Sequence, residues 1–227
     1  MRLAFVPVLS AVVAVVAASA LVACTPTKPV EPGGFADATF PSTFAWGTAT
    51  AQWQVEGDQG VNGPIESNWS HWLAAGHAKS GQTNPDGNGF FTHFDDDAGR
   101  AADLGLDSFR MSIDWARIEP QPGVFDDDEL QHDVDIIASL KAHGLKPVVT
   151  FYHWVVPVWV QNPDDGTDLI AVDDHAVAEK FAAFVAHVMP AIKDDVDTFT
   201  VLNEPLSMIS AAYFDNSFPP GDFLDTQ

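Results

Sequence analysis

Four short runs of nearly continuous apolar, β-branched and aromatic residues, separated by stretches with helical periodicity, constrain this chain more than any other feature. The runs are Thr43–Ala49 (TFAWGTA), Ser108–Ile113 (SFRMSI), Lys146–His153 (KPVVTFYH) and Thr198–Asn203 (TFTVLN). The third and fourth are too continuously apolar for a sheet with one solvated face. Between the runs, Phe91, Phe94, Ala98 and Ala101 share one helical face. Leu130, Val134, Ile137 and Leu140 share a second, and Val177, Phe181, Phe184, Val185 and Val188 a third. Asp126–Glu129 stands at the start of the second helix, where the dipole favours anions. Asp173 or Asp174 is placed to cap the third. Gly144 is expected to close the second helix and Pro190 the third. The order β-α-β-α-β-α-β predicts a parallel sheet.

Composition narrows what such a sheet can serve. The chain has 227 residues, one domain or at most two, and 46% are hydrophobic, enough for a sizeable core. The formal net charge of −22 repels phosphate backbones, which excludes nucleic acid as a partner class. The single cysteine, Cys24, rules out a disulfide framework and a cysteine zinc site. Asp95–Asp97 and Asp126–Glu129 read as solvated helix starts. Asn84, Asp86, Asn88, Gly89 and Asp95 fall at positions 1, 3, 5, 6 and 12 of a calcium-loop pattern. That pattern needs Asp first and Glu last, and no helix periodicity precedes it, so calcium is the weaker reading. His71, His77 and His93 lack ligand spacing, and neither metal nor cofactor is expected.

The N-terminal segment reads as an address. Met1 and Arg2 precede Leu3–Ala23, a run without charge that is mostly Ala, Val and Leu. It is long enough to span a bilayer, so an uncleaved anchor competes with a signal peptide over residues 1–23. Pro7, the small residues and the ending Leu21-Val22-Ala23-Cys24 favour the signal. That tetrad resembles a bacterial lipoprotein processing site, which would make Cys24 the acylated N-terminus. Residues 24–39, with the Pro/Gly-rich Thr25–Gly34, then form a tether. The expected location is the bacterial cell envelope, membrane-anchored through lipid alone.

Polar residues cluster at one end of each predicted strand. Gln54 follows the first, Arg110 lies in the second, His153 and Trp154 close the third, and Asn203-Glu204-Pro205 closes the fourth. In a parallel barrel, the C-terminal strand ends form the active-site face. A carboxylate directly after an apolar strand is costly unless it lies at a mouth or has partners. Half-buried there, Glu204 would have a raised pKa suited to a general acid; alternatively it caps the next helix. Arg110 could orient a carboxylate bidentately or form a core ion pair. Asn203 and His153 could donate to hydroxyls, or satisfy local structure. All seven tryptophans lie between Trp46 and Trp159; flat rings beside polar donors suit sugars, although most serve packing.

These residues carry a resemblance to glycoside hydrolase family 1, the β-glucosidase and β-galactosidase type. Phe44-Ala45-Trp46-Gly47-Thr48-Ala49-Thr50 followed by Gln54-Val55-Glu56-Gly57 is similar to its opening motif. Phe109-Arg110-Met111-Ser112-Ile113-Asp114-Trp115-Ala116-Arg117-Ile118 resembles its second-strand motif. His153-Trp154, Asn203-Glu204-Pro205 and Phe218-Pro219-Pro220-Gly221 follow in the family's order. The resemblance implies a (β/α)8 TIM barrel, of which residues 40–227 hold about four βα units. It implies retaining hydrolysis of a small β-linked glycoside, β-glucoside first. Glu204 would be the acid/base, and Arg110 would hold the nucleophile. Gln54, His153, Trp154 and Asn203 would contact sugar.

Two departures matter. His153-Trp154 is followed by Val155-Val156-Pro157 where many members have Asp-Leu-Pro, which points to a divergent branch. The family's nucleophile lies in a Thr-Glu-Asn-Gly-like motif on a later strand, and this chain has no such motif. A retaining site needs two carboxyls about 5–5.5 Å apart, and nothing in the sequence sets Glu56, Glu66 or Glu119 opposite Glu204. A missing C-terminal half is therefore expected as a partner. The competing functional expectation is a non-catalytic, sugar-binding surface lipoprotein.

Overall fold

The computed structural model describes residues 39–170 and 175–221. Cys24, the 1–23 leader, almost all of the tether and the Asp173/Asp174 cap lie outside them. The chain divides into two compact units, Met1–Phe44 and Ala45–Gln227. In the first, the described residues make a turn in which the Phe44 amide donates to the Pro41 carbonyl at 2.9 Å.

The second unit alternates strands and helices. Its elements are β1 (Gly47–Ala49), α1 (Gln52–Glu56), α2 (Asn68–Ala74), α3 (Phe90–Asp103), β2 (Ser108–Ser112), α4 (Trp115–Ile118) and α5 (Asp127–Ala142). Then follow β3 (Lys146–Tyr152), the antiparallel pair β4 (Gln161–Asn162) and β5 (Thr167–Asp168), α6 (Ala176–Ile192), β6 (Thr198–Leu202) and α7 (Pro205–Tyr213). The main sheet runs β1-β2-β3-β6, with every neighbouring pair parallel. Registers such as Ala49↔Arg110 and Tyr152↔Leu202 bring all four C-terminal strand ends to one side.

Strand alternation separates the two faces. Phe109, Met111, Val149 and Phe151 are buried in one cluster with Ile136, Ile137 and Leu140 of α5 and Phe184, Val188 and Ile192 of α6. Each such side chain contributes about 1.5–3 kcal/mol by leaving water. Arg110, Ser112 and Thr150 occupy the opposite parity, which carries the polar face. The outer strands are open: Val201 is 59% exposed and Leu202 44%, and the β1 residues are exposed throughout.

The helix ends follow their sequence signals, with three corrections. Asp126 caps α5, accepting from the Asp128 and Glu129 amides at 3.1 and 3.3 Å. Gly144, at φ 81°, takes the left-handed position just past the helix. Pro190 does not close α6: it lies inside the last turn, and the helix runs to Ile192. Asp95–Asp97 are not a helix start either. α3 begins five residues earlier, at Phe90, whose amide donates to Asn88 Oδ1. Glu129 is not solvated: it is buried among backbone amides and an arginine. The calcium-pattern residues go to separate tasks. Asn84 Nδ2 donates to the Trp53 carbonyl, and Asp95 Oδ1 accepts from Ser139 Oγ.

Candidate active site

Five of the six expected site residues are joined by hydrogen bonds or electrostatics around Asn203. Arg110, projecting from β2, donates through Nε to Thr150 Oγ1 of β3 and through Nη2 to Asn203 Oδ1, each at 2.8 Å. The Asn203 amide donates to the Tyr152 carbonyl at 2.9 Å, continuing the β3–β6 ladder by one residue. The Trp154 indole Nε1 donates to the Asn203 carbonyl at 2.9 Å. Asn203 is buried and gripped from three directions, yet its side-chain NH2 makes none of these bonds and remains a donor for a hydroxyl.

His153 is half-buried beside this network. Burial first, and then the Arg110 charge, pull its pKa down to about 4, against the opposing pull of Glu204. The imidazole is therefore neutral at pH 7. Its Nδ1 is buried and has no hydrogen-bond partner among the described residues. Arg110 itself has two neutral partners, and among the described residues no carboxylate oxygen lies within 4.0 Å of it.

Glu204 differs from expectation in one respect. It is exposed rather than half-buried, so the desolvation argument has no basis in this geometry. Nor is it a cap: it occupies the position before α7 without a side-chain capping bond, and Pro205 starts the helix. Its backbone is left-handed, at φ 42° and ψ 59°. Trp154 is left-handed too, at φ 73°. For non-glycine residues such conformations cost about 1–3 kcal/mol each and persist where surrounding structure over-determines them. Gln54 lies in α1, exposed at the same end of the sheet, and the hydrogen bonds described above do not reach it.

Two of the three spare carboxylates are committed elsewhere. Glu56 is buried against Arg117. Glu119 accepts from Trp115 Nε1 at 2.7 Å and the Gly123 amide at 2.9 Å. Glu66 lies near His71, at 3.7 Å. A cleft of about 460 Å³, lined by Ile65, Arg117, Gln121 and Glu129 among others, contains none of the site residues. The site is an arc of strand ends and not an enclosed cavity.

Sequence reasoning missed the support beneath this arc. Arg117, Glu56, Asp114, Glu129 and Asp133 are all buried together. Arg117 pairs with Glu56 and stands 3.7 Å from Glu129, and Gln52 Nε2 donates to Asp133 Oδ1 at 2.6 Å. Burial pushes the Glu56 carboxyl up to about 7 despite the Arg117 charge. Burial likewise pushes Asp133 well above its ordinary value. The cluster ties α1, which carries Gln54, to α4 and α5. The acidic spacing held no hint of it, because carboxylates from three separate segments converge on one arginine.

The family model for glycosyl hydrolase family 1 matches residues 36–227. The chain belongs to that family. A bifunctional β-D-glucosidase/β-D-fucosidase of Bifidobacterium breve is 32% identical over 185 residues, covering 80% of this chain and 39% of the relative. A rice β-glucosidase, solved in a covalent complex with glucose, superposes with a TM-score of 0.72 at 28% identity, over 81% of this chain and 38% of that one. The family 1 β-glucosidase of Exiguobacterium antarcticum gives 0.72 at 26% identity, over 82% and 40%. The chain thus spans about two fifths of the length of these family 1 relatives. Its four parallel βα units are an incomplete (β/α)8 barrel.

Proposed function

We propose that this chain carries the acid/base part of a retaining β-glycosidase acting on terminal β-D-glycosides, with β-glucosides the first substrates to test. The observation that carries the reading is Glu204, an exposed carboxyl on a left-handed residue at a strand end, capping nothing and adjoining the gripped Asn203. Strain at a residue without a structural task is a mark of function. Glu204 donates its proton to the glycosidic oxygen as the C–O bond breaks, then takes a proton from the water that releases the sugar. Neutral His153, the Asn203 NH2 and exposed Gln54 are hydrogen-bond donors for sugar hydroxyls, and the face of Trp154 adds an apolar wall.

Retention also needs a carboxylate nucleophile about 5–5.5 Å from the acid/base. Glu56 and Glu119 are engaged elsewhere, and Glu66 lies beside His71 just before α2. We infer that the nucleophile is supplied from outside residues 39–221, by a further half of the barrel, and that Arg110 orients it. On that reading the purified chain by itself does not turn over aryl β-glucosides, whereas a chain completed by a nucleophile-bearing half does.

The test uses the completed enzyme with Glu204→Gln. Hydrolysis of substrates with poor leaving groups should fall by at least 100-fold, the scale of general acid catalysis. Substrates whose leaving group departs without a proton should lose far less. Equal losses on both classes, or robust hydrolysis by the unextended chain that survives Glu204→Gln, overturn the assignment.

A further inference from the structure

The left-handed turn at Trp154 is held by residues to which no role has yet been given. The Trp154 carbonyl accepts two hydrogen bonds from the first turn of α2: Trp69 Nε1 at 2.9 Å and Asn68 Nδ2 at 3.2 Å. Asn68 is 1% exposed and spends all its remaining polar groups nearby. Its Oδ1 accepts from the Val156 amide at 3.0 Å, its own amide donates to the Val156 carbonyl at 3.0 Å, and Nδ2 also donates to Gln161 Oε1 at 2.8 Å. The turn is thus bracketed at residues 154 and 156 by one buried side chain.

The bracket is itself rigid. Ser67 and Ser70 form a reciprocal capping box that starts α2. The Trp69 ring stacks on Trp53 at 5.2 Å and meets Phe218 edge-on at 4.8 Å, and Phe218 also contacts Trp154 at 5.1 Å. From the held carbonyl, the path runs through the Trp154 indole to the Asn203 carbonyl, which belongs to the peptide that joins Asn203 to Glu204.

We propose that Asn68 and Trp69 are positioning residues: they lock the Trp154 turn and, through the Trp154–Asn203 bond, set where His153 and Glu204 stand. The consequence for catalysis rests on the function proposed above; the locking of the turn does not. Trp69→Phe removes the indole donor and keeps a ring in the aromatic stack. Asn68→Asp keeps an acceptor for Val156 and removes the donor to Trp154.

The decisive readout is the NMR titration of two histidines in the purified chain. His153 and His132 both titrate at about 4. His153 faces Arg110 and Glu204, whereas burial and Arg117 lower His132, with Asp135 opposing. Releasing the turn should expose His153 and raise its midpoint by at least one pH unit in both variants, leaving His132 in place. An unmoved His153 in a folded variant overturns the proposal. Both histidines rising together in both variants also overturns it, because that reports general loss of packing. In the completed enzyme, Trp69→Phe should lower kcat/KM at least tenfold. Absence of β-glucosidase activity in the unmodified completed enzyme would sink the functional reading and leave the histidine result intact.

Discussion

Arg110 shows how one side chain links three strand ends. It reaches Thr150 on β3 and Asn203 after β6 while its own backbone stays in β2. Lysine could not reproduce this, because only the planar fork offers two divergent donors at fixed geometry. Arg110→Met leaves buried Asn203 Oδ1 without that donor, which should cost about 1–3 kcal/mol in chemical denaturation. It also removes a positive charge beside His153, so the histidine should titrate above about 4 but below an exposed imidazole, since burial persists. An unchanged His153 midpoint by NMR would show that Arg110 does not sense the site. The motif positions of Arg110, His153, Asn203 and Glu204 were legible in the sequence because each follows or interrupts an apolar run. Glu204's exposure and left-handed backbone were not, because they depend on how the β6–α7 junction turns.

At the scale of elements, the four strands and three long helices were readable from periodicity, within a few residues at their ends. The short α1, α2 and α4 were not, since five, seven and four residues are too few to show a repeat. The buried Arg117 cluster ties α1 and α4 to α5, and Asn68 ties α2 to the Trp154 turn. The cluster makes stability depend on pH. Glu56 titrates at about 7 in the fold against 4.5 without it, so the folded state holds more protons between those values. Its stabilising contribution is complete below pH 4.5 and is lost as pH rises through 7, at about 1.4 kcal/mol per pH unit. His132 acts oppositely, losing stability as pH falls from 6.5 to about 4. The comparison therefore needs a variant. The melting temperature of Glu56→Gln minus that of the unmodified chain should rise steadily between pH 4.5 and 7 by calorimetry. A flat or falling difference would mean that the Arg117 ion pair outweighs desolvation.

For the whole molecule, the sheet is an arc whose first and last strands are exposed, and α7 adds Leu206 at 78% and Ile209 at 41% exposure. We propose that the chain is exported and held at the bacterial envelope through lipid on Cys24, a reading supported by the uncharged Leu3–Ala23 run and the Leu21-Val22-Ala23-Cys24 tetrad. Expression with a labelled fatty acid should mark the unmodified chain and not Cys24→Ala; equal labelling of both would defeat the reading. The amino-acid sequence by itself determined the parallel βα alternation and the family. The alternation follows from local periodicity, and the family from the resemblance of its ordered motifs. Only the tertiary structure decided that Glu56 is a buried ion-pair partner rather than a spare acid, that Glu129 is buried rather than solvated, that Glu204 stands exposed, and that Asn68 holds the Trp154 turn. The Glu56–Arg117 and Asn68–Val156 bonds join groups 61 and 88 positions apart, and pairing at that distance is set by packing, which no local pattern encodes.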